Sequence, residues 1–245
     1  MPDQAYIPGF PSLADHLLLL VFGWLLPFLS GVKGAEQMKG MVFSERSRRR
    51  FFLGNSAFLC LAAGIVCAVW LLQGRSMETL GLRDADPDST AKAVPIILLL
   101  VGLWLADMLL SQKISRKLDS ENESGREYPA FLPEHFRELP AYVLLCLSAA
   151  IFEEMIYRGF MVTYFLPGTR GADGLPLAAT FVPALLFSLA HYYQGWLATL
   201  KIFVLAILMG LLFMVTRSLW ILMGIHFLID LAGGLYAMRL RRKEH

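Results

Sequence analysis

Apolar residues in this chain come in long blocks rather than in the short alternations of a soluble domain. A helix that crosses a bilayer needs about 20 mostly apolar residues. Seven stretches reach that length: 13–32, 51–73, 93–112, 139–165, 175–194, 196–216 and 218–238. Polar positions collect between them, and the blocks hold only 7 of the 42 charged residues. The pattern predicts an all-α fold, a polytopic transmembrane helix bundle of about seven spans. Nothing divides the chain, so 1–245 reads as a single integral membrane domain. The connector 113–138 is polar and reads as partly helical, interrupted by Pro129 and Pro133.

Composition agrees with the pattern. Charged residues make up 17% of the chain, against about 25% in a typical soluble domain. A soluble enzyme with one core and a polar shell is excluded, and so is a disordered chain. The net charge of +2 comes with no basic stripe interleaved with aromatics, so nucleic acid is not an expected partner. Cys60, Cys67 and Cys146 lie in apolar runs without C-x-x-C spacing and read as inert buried thiols.

Charge between the blocks sets an expected orientation. Lys and Arg concentrate on the cytoplasmic side of membrane proteins. With the N-terminus outside, the inner segments carry 15 basic residues and the outer ones 5. The expectation is N-out and C-in, with the Arg46 to Arg50 cluster read as a topology signal in contact with anionic lipid. The first block has no basic residue before it and carries Asp15 in its first turn, unlike a signal peptide, so it reads as a retained helix. Asp15 and Lys201 are expected to cap or snorkel near span ends, and Asp107 to make a structural hydrogen bond. Tyr192, Tyr193, Trp196 and Trp220 suit interfacial anchoring.

The candidate chemistry lies in ionisable groups placed where a bilayer disfavours them. Each charge at the centre of a spanning helix costs about 2.5–3.5 kcal/mol on insertion scales. The fourth block carries Glu153, Glu154 and Arg158, the fifth His191, and the seventh His226 and Asp230. They must face one another or a wet cavity. Glu154 and Arg158 stand at i and i+4 and predict a buried structural pair, with Glu153 about 100° round the helix and free to work. His226 and Asp230 repeat the i, i+4 spacing, as do Phe187 and His191. Depth along the helices puts Glu153 and His226 near one level, whereas His191 reaches it only if its helix starts later and runs on past Gly195.

Such a set suits water activation: Glu153 as general base, His191 orienting the water or sharing the proton, His226 donating to the oxyanion with Asp230 fixing its tautomer. No Ser or Cys stands beside a base as an obvious nucleophile; Ser188 has only its i+3 spacing to His191. Taken singly, either histidine would be an ordinary core residue, and Glu153 a hydrogen-bonded buried carboxylate.

These residues carry a resemblance. EEMIYR at 153–158, FSLAH at 187–191 and HFLID at 226–230 resemble the three motifs of the CPBP family, E-E-x-x-x-R, F-x-x-x-H and H-x-x-x-N/B. The family includes type II CAAX prenyl endopeptidases and Abi-like proteins, and the resemblance covers 139–232. It implies an intramembrane glutamate-type endopeptidase, with no obligatory metal and no cofactor. By that resemblance Glu153 and His191 activate water, His226 and position 230 form the oxyanion site, and Glu154, Arg158 and Phe187 brace it. The substrate implied is a peptide or membrane-protein segment, with or without lipid modification, in the inner membrane of a bacterial cell. Position 230 is Asp here rather than Asn. An ionised Asp repels an oxyanion, so Asp230 fits that role only when neutral, or serves to orient His226.

Three other readings stay open on the residues alone. Glu153, His191 and His226 could ligate zinc, although no H-E-x-x-H helix is present. Intramembrane carboxylates and histidines also serve transporters and proton relays. A non-enzymatic immunity or scaffold protein is the third.

Overall fold

The computed structural model describes residues 7, 10–38, 41–119, 131–166 and 176–241, with backbone alone over 111–119 and 240–241. Eight helices follow in order: α1 (Leu13–Met38), α2 (Glu45–Leu72), α3 (Met77–Leu80), α4 (Pro87–Asp119), α5 (Phe136–Phe165), α6 (Leu177–Ala190), α7 (Trp196–Thr216) and α8 (Leu219–Arg241). No strand occurs among the described residues. Lipid supplies no partner for a free N–H or C=O, so helices that satisfy their own backbone are the expected solution.

Six of these helices are long and apolar enough to cross a membrane, and α6 is a shorter apolar helix. The seven apolar blocks are therefore all helical, but the fifth does not run 175–194. Its helix has 14 residues and stops at Ala190, roughly 21 Å of rise against a hydrocarbon core of about 30 Å. A 3₁₀ turn over Tyr192–Gln194 and Gly195 at φ 97° then separate it from α7. Neither condition set for His191 by depth is met, since the helix starts at Leu177, barely later than the expected 175, and does not run on past Gly195.

Two helices carry widened π-turns. In α1 they span Leu19–Leu25 and Leu29–Lys33, on either side of Pro27, whose ring offers no N–H to the preceding turn. In α5 the widened segment is Met155–Val162, and all eight of its residues are buried. That segment opens directly after Glu154 and contains Arg158.

α5 is the hub of the bundle, packed against α2, α6 and α8, while α7 packs against α6 and α4. Phe160 and Met161 from α5, Leu212 and Phe213 from α7 and Leu219 and Leu222 from α8 meet where these helices converge, all fully buried. Large apolar residues point outward instead, including Leu61, Leu98 and Leu197. An apolar exterior over a core that holds its charges inside is the inverse of a water-soluble domain.

Several charges expected at span ends lie elsewhere. Asp15 caps α1 through Ser12, as expected, but does not snorkel: it is fully buried and takes a bidentate bond from Arg75 at 2.8 and 2.7 Å. The Arg75 guanidinium also sits over the rings of Phe10 and Trp70 at 4.7 and 4.9 Å. Arg48 departs from the cluster it was grouped with. It turns inward to Glu138 at 2.7 Å and Glu134 at 2.6 Å, tying α2 to the start of α5, whereas Arg46, Arg49 and Arg50 stay exposed. Lys201 pairs with Asp107 at 2.5 Å across α7 and α4, both half-exposed. The thiols are free, but Cys60 is exposed rather than buried.

Candidate active site

Glu154 stands at the last α-helical position of α5 before the widened segment. Its Oε1 accepts from Nη1 of Arg158 at 2.8 Å and from Nδ1 of His226 on α8, also at 2.8 Å. The i, i+4 pair predicted from spacing is present, and both partners are buried. Glu154 also does what had been expected of Asp230. A carboxylate only accepts, so the proton on that ring edge belongs to Nδ1, and Glu154 fixes how His226 is held.

The other ring nitrogen of His226 faces the remaining carboxylates. Nε2 lies 3.4 Å from Oδ2 of Asp230 and 3.8 Å from Oε2 of Glu153. Glu153 and Glu154 thus approach one imidazole from its two nitrogen edges. Asp230 is more exposed than the other carboxylate beside that nitrogen, with 36% of its side chain exposed against 15% for Glu153.

His191 joins the cluster although its helix stops short. It caps the end of α6, and its Nδ1–H donates back to the Phe187 carbonyl at 2.8 Å. A carbonyl only accepts, so Nδ1 carries the proton and Nε2 keeps its lone pair. The ring stacks on Tyr193 at 6.2 Å and lines the same cavity as Glu153. Tyr193 therefore contributes to the cavity lining.

Phe187 links the groups. Its ring centre lies 4.6 Å from that of His191, 6.2 Å from that of His226 and 5.0 Å from that of Tyr157, with the Arg158 guanidinium carbon at 4.6 Å. The guanidinium is therefore held by a carboxylate on one side and a π face on another. Ser188 is not beside His191 as a nucleophile. It is buried and bonds back to the Leu185 carbonyl at 2.8 Å.

Glu153, Glu154, Tyr157, Arg158, Phe187, His191, Tyr193, His226 and Asp230 line one cavity of about 560 Å³, and Ser188 does not. Its apolar walls come largely from outside the motifs: Phe22 and Leu26 of α1, Phe58 and Leu59 of α2, Trp104 of α4 and Leu205 of α7. Tyr142 and Asn55 also line it and were not singled out from sequence. A Tyr or Asn in an apolar run is common, and no spacing marked either one. Among the described residues, no three His, Cys, Asp or Glu side chains are grouped to hold a metal ion.

The fold and cluster define a helical, membrane-spanning protein with carboxylates and imidazoles gathered on one internal cavity. Residues 135–232 match the family model described as type II CAAX prenyl endopeptidase Rce1-like, a segment that contains all three motifs. The resemblance carried by those motifs is thus met by an Rce1-like segment. The chain is also similar to the uncharacterized protein YpbD of Bacillus subtilis (strain 168), 31% identical over 111 residues, which are 44% of this chain and 53% of that protein. The chain thus spans about half the length of that relative. No solved structure matches it.

Proposed function

We propose that this protein is an intramembrane endopeptidase that hydrolyses a peptide bond with water activated by Glu153 and His191. The observation that carries the reading is the position of Glu153, which lies 3.8 Å from the free edge of His226 on a shared cavity that His191 also lines.

Glu153 takes a proton from water while its oxygen attacks the scissile carbonyl carbon, and His191 Nε2 accepts a hydrogen bond that orients that water. The carbonyl π pair moves onto oxygen. His226, carrying a proton on each ring nitrogen, meets the developing charge with Nε2–H while its Nδ1–H is committed to Glu154. Collapse of the intermediate breaks the C–N bond, and Glu153 returns its proton to the leaving amine. Arg158 balances Glu154, so the pair holds His226 without adding net charge. Asp230 either donates as a neutral acid beside Nε2 or orients that nitrogen from 3.4 Å.

The apolar walls suit a substrate segment that is itself apolar near the cleaved bond, whether a membrane-embedded peptide or a chain bearing a lipid. The test is purification in detergent and incubation with a peptide library, comparing wild type with Glu153→Ala by mass spectrometry. Cleavage by wild type alone supports the reading. Equal products from both proteins, or proton flux in liposomes that Glu153→Gln abolishes with no cleavage by wild type, would end it.

A further inference from the structure

Tyr142 stands on the first turns of α5 and is 6% exposed. It precedes Glu153 by 11 positions, which at 100° and about 1.5 Å per residue places both on one face, roughly 16 Å apart. On α8, His226, Asp230 and Gly234 follow one another at four-residue steps and form a facing stripe. The two stripes run antiparallel. Glu153 meets His226 at one end, and Tyr142 meets Asp230 and Gly234 at the other.

That second meeting is unusually close. The Tyr142 hydroxyl donates to the backbone carbonyl of Asp230 at 2.8 Å. A Cβ built at Gly234 would lie 2.2 Å from Cε1 of the Tyr142 ring and 2.4 Å from both its Cζ and its hydroxyl oxygen. The ring therefore rests on bare backbone, which only glycine provides. Phe52 of α2 packs edge-on against the ring at 5.3 Å, and the ring also borders the cavity, so a methyl at position 234 must either part the two helices or push the ring toward that space. In lipid, where apolar burial gives helices no reason to associate, close backbone approach and interhelical hydrogen bonds set their register.

We propose that Tyr142 and Gly234 form the register lock that holds His226 and Asp230 opposite Glu153, which makes Tyr142 a positioning residue outside the three motifs. Its effect on cleavage rests on the peptidase reading; its effect on register does not. A one-residue register shift of α8, a screw along its own axis, would carry His226 about 1.5 Å and turn it by about 100°. A displacement near 1 Å is enough to cost about 100-fold in rate.

The test uses full-length protein in detergent and two readouts. In cleavage assays Gly234→Ala lowers kcat per folded molecule by at least about tenfold with KM little changed, and Tyr142→Phe lowers it by several-fold. Tyr142→Ala combined with Gly234→Ala removes the ring that the new methyl would strike, and recovers activity relative to Gly234→Ala alone. The second readout needs no activity. Glu153→Cys with His226→Cys is treated with a short thiol-specific bifunctional reagent, and the linked peptide is quantified by mass spectrometry. Linking is efficient beside native Tyr142 and Gly234, falls with Gly234→Ala, and returns when Tyr142→Ala is added. Unchanged linking and unchanged kcat in Gly234→Ala would overturn the proposal, as would a double variant no better than the single one. If Gly234→Ala does not fold, Tyr142→Phe decides in both readouts. If wild type cleaves nothing, the peptidase reading falls and the linking yields alone decide the register.

Discussion

Nδ1 of His226 lies 2.8 Å from Oε1 of Glu154, on the same oxygen that receives Arg158. The second glutamate of the motif is therefore the joint between α5 and α8, while the first remains on the cavity side of the imidazole. The two adjacent carboxylates should respond differently to substitution.

Glu154→Ala leaves Arg158, with 4% of its side chain exposed, as an uncompensated buried charge. Removing one partner of such a pair destabilises by about 3–5 kcal/mol. Chemical unfolding in detergent should show that loss for Glu154→Ala and much less for Glu153→Ala, which should abolish cleavage instead. Equal destabilisation by both would contradict this division of roles.

Asp230→Asn supplies a neutral amide where the structure has a carboxyl 3.4 Å from Nε2 of His226. If Asp230 acts as a neutral donor, cleavage by the Asn variant, whose amide also donates, stays within about tenfold of wild type. Asp230→Ala, with neither donor nor acceptor, falls further. An Asn variant as inactive as the Ala variant would assign position 230 the orienting role, which then needs the negative charge of a carboxylate and not merely an acceptor.

Gly31 of α1 governs His191 from outside the Rce1-like segment. A Cβ there would lie 2.1 Å from the Leu189 carbonyl oxygen, which is backbone and cannot swing aside. Gly31→Ala should cost about 1–3 kcal/mol by overpacking. It should also reduce cleavage by displacing the turn that carries His191, whereas Gly54→Ala, in open space, should do neither. Comparative unfolding and cleavage of the two variants checks this.

Arg75→Ala strands Asp15, whose side chain is 1% exposed. The expected cost is about 3–5 kcal/mol in stability. Activity per folded molecule should be unchanged, because the pair lies outside the residues that line the cavity.

Orientation is checked by thiol labelling with Cys60, Cys67 and Cys146 replaced. An impermeant reagent applied to intact cells should reach Glu78→Cys and should reach Arg46→Cys only after permeabilisation. The reverse pattern would invert the assignment drawn from the basic-residue bias.

Sequence alone determined the helical membrane class, the positions of the apolar rods and the identity of the clustered groups. Each follows from a local cost: about 20 apolar residues are needed to cross lipid, and an ionisable group there demands a partner. The i, i+4 pairing of Glu154 with Arg158 was legible for the same reason, since four residues along one helix fix a neighbour without help from the rest of the chain. Tertiary structure alone decided which carboxylate holds which nitrogen of His226. That choice depends on the widened turn that opens at Met155 and on the register of α8 against α5, neither of which leaves a periodic mark. It also decided that His191 reaches the site from a helix that stops at Ala190, by folding its ring back onto Phe187. Arg48 and Arg75 were misread or passed over because a basic residue beside an apolar run looks the same whether it meets water or a buried carboxylate. Only the packing of distant segments, through α2 against α5 and α1 against the turn after α2, distinguishes the two.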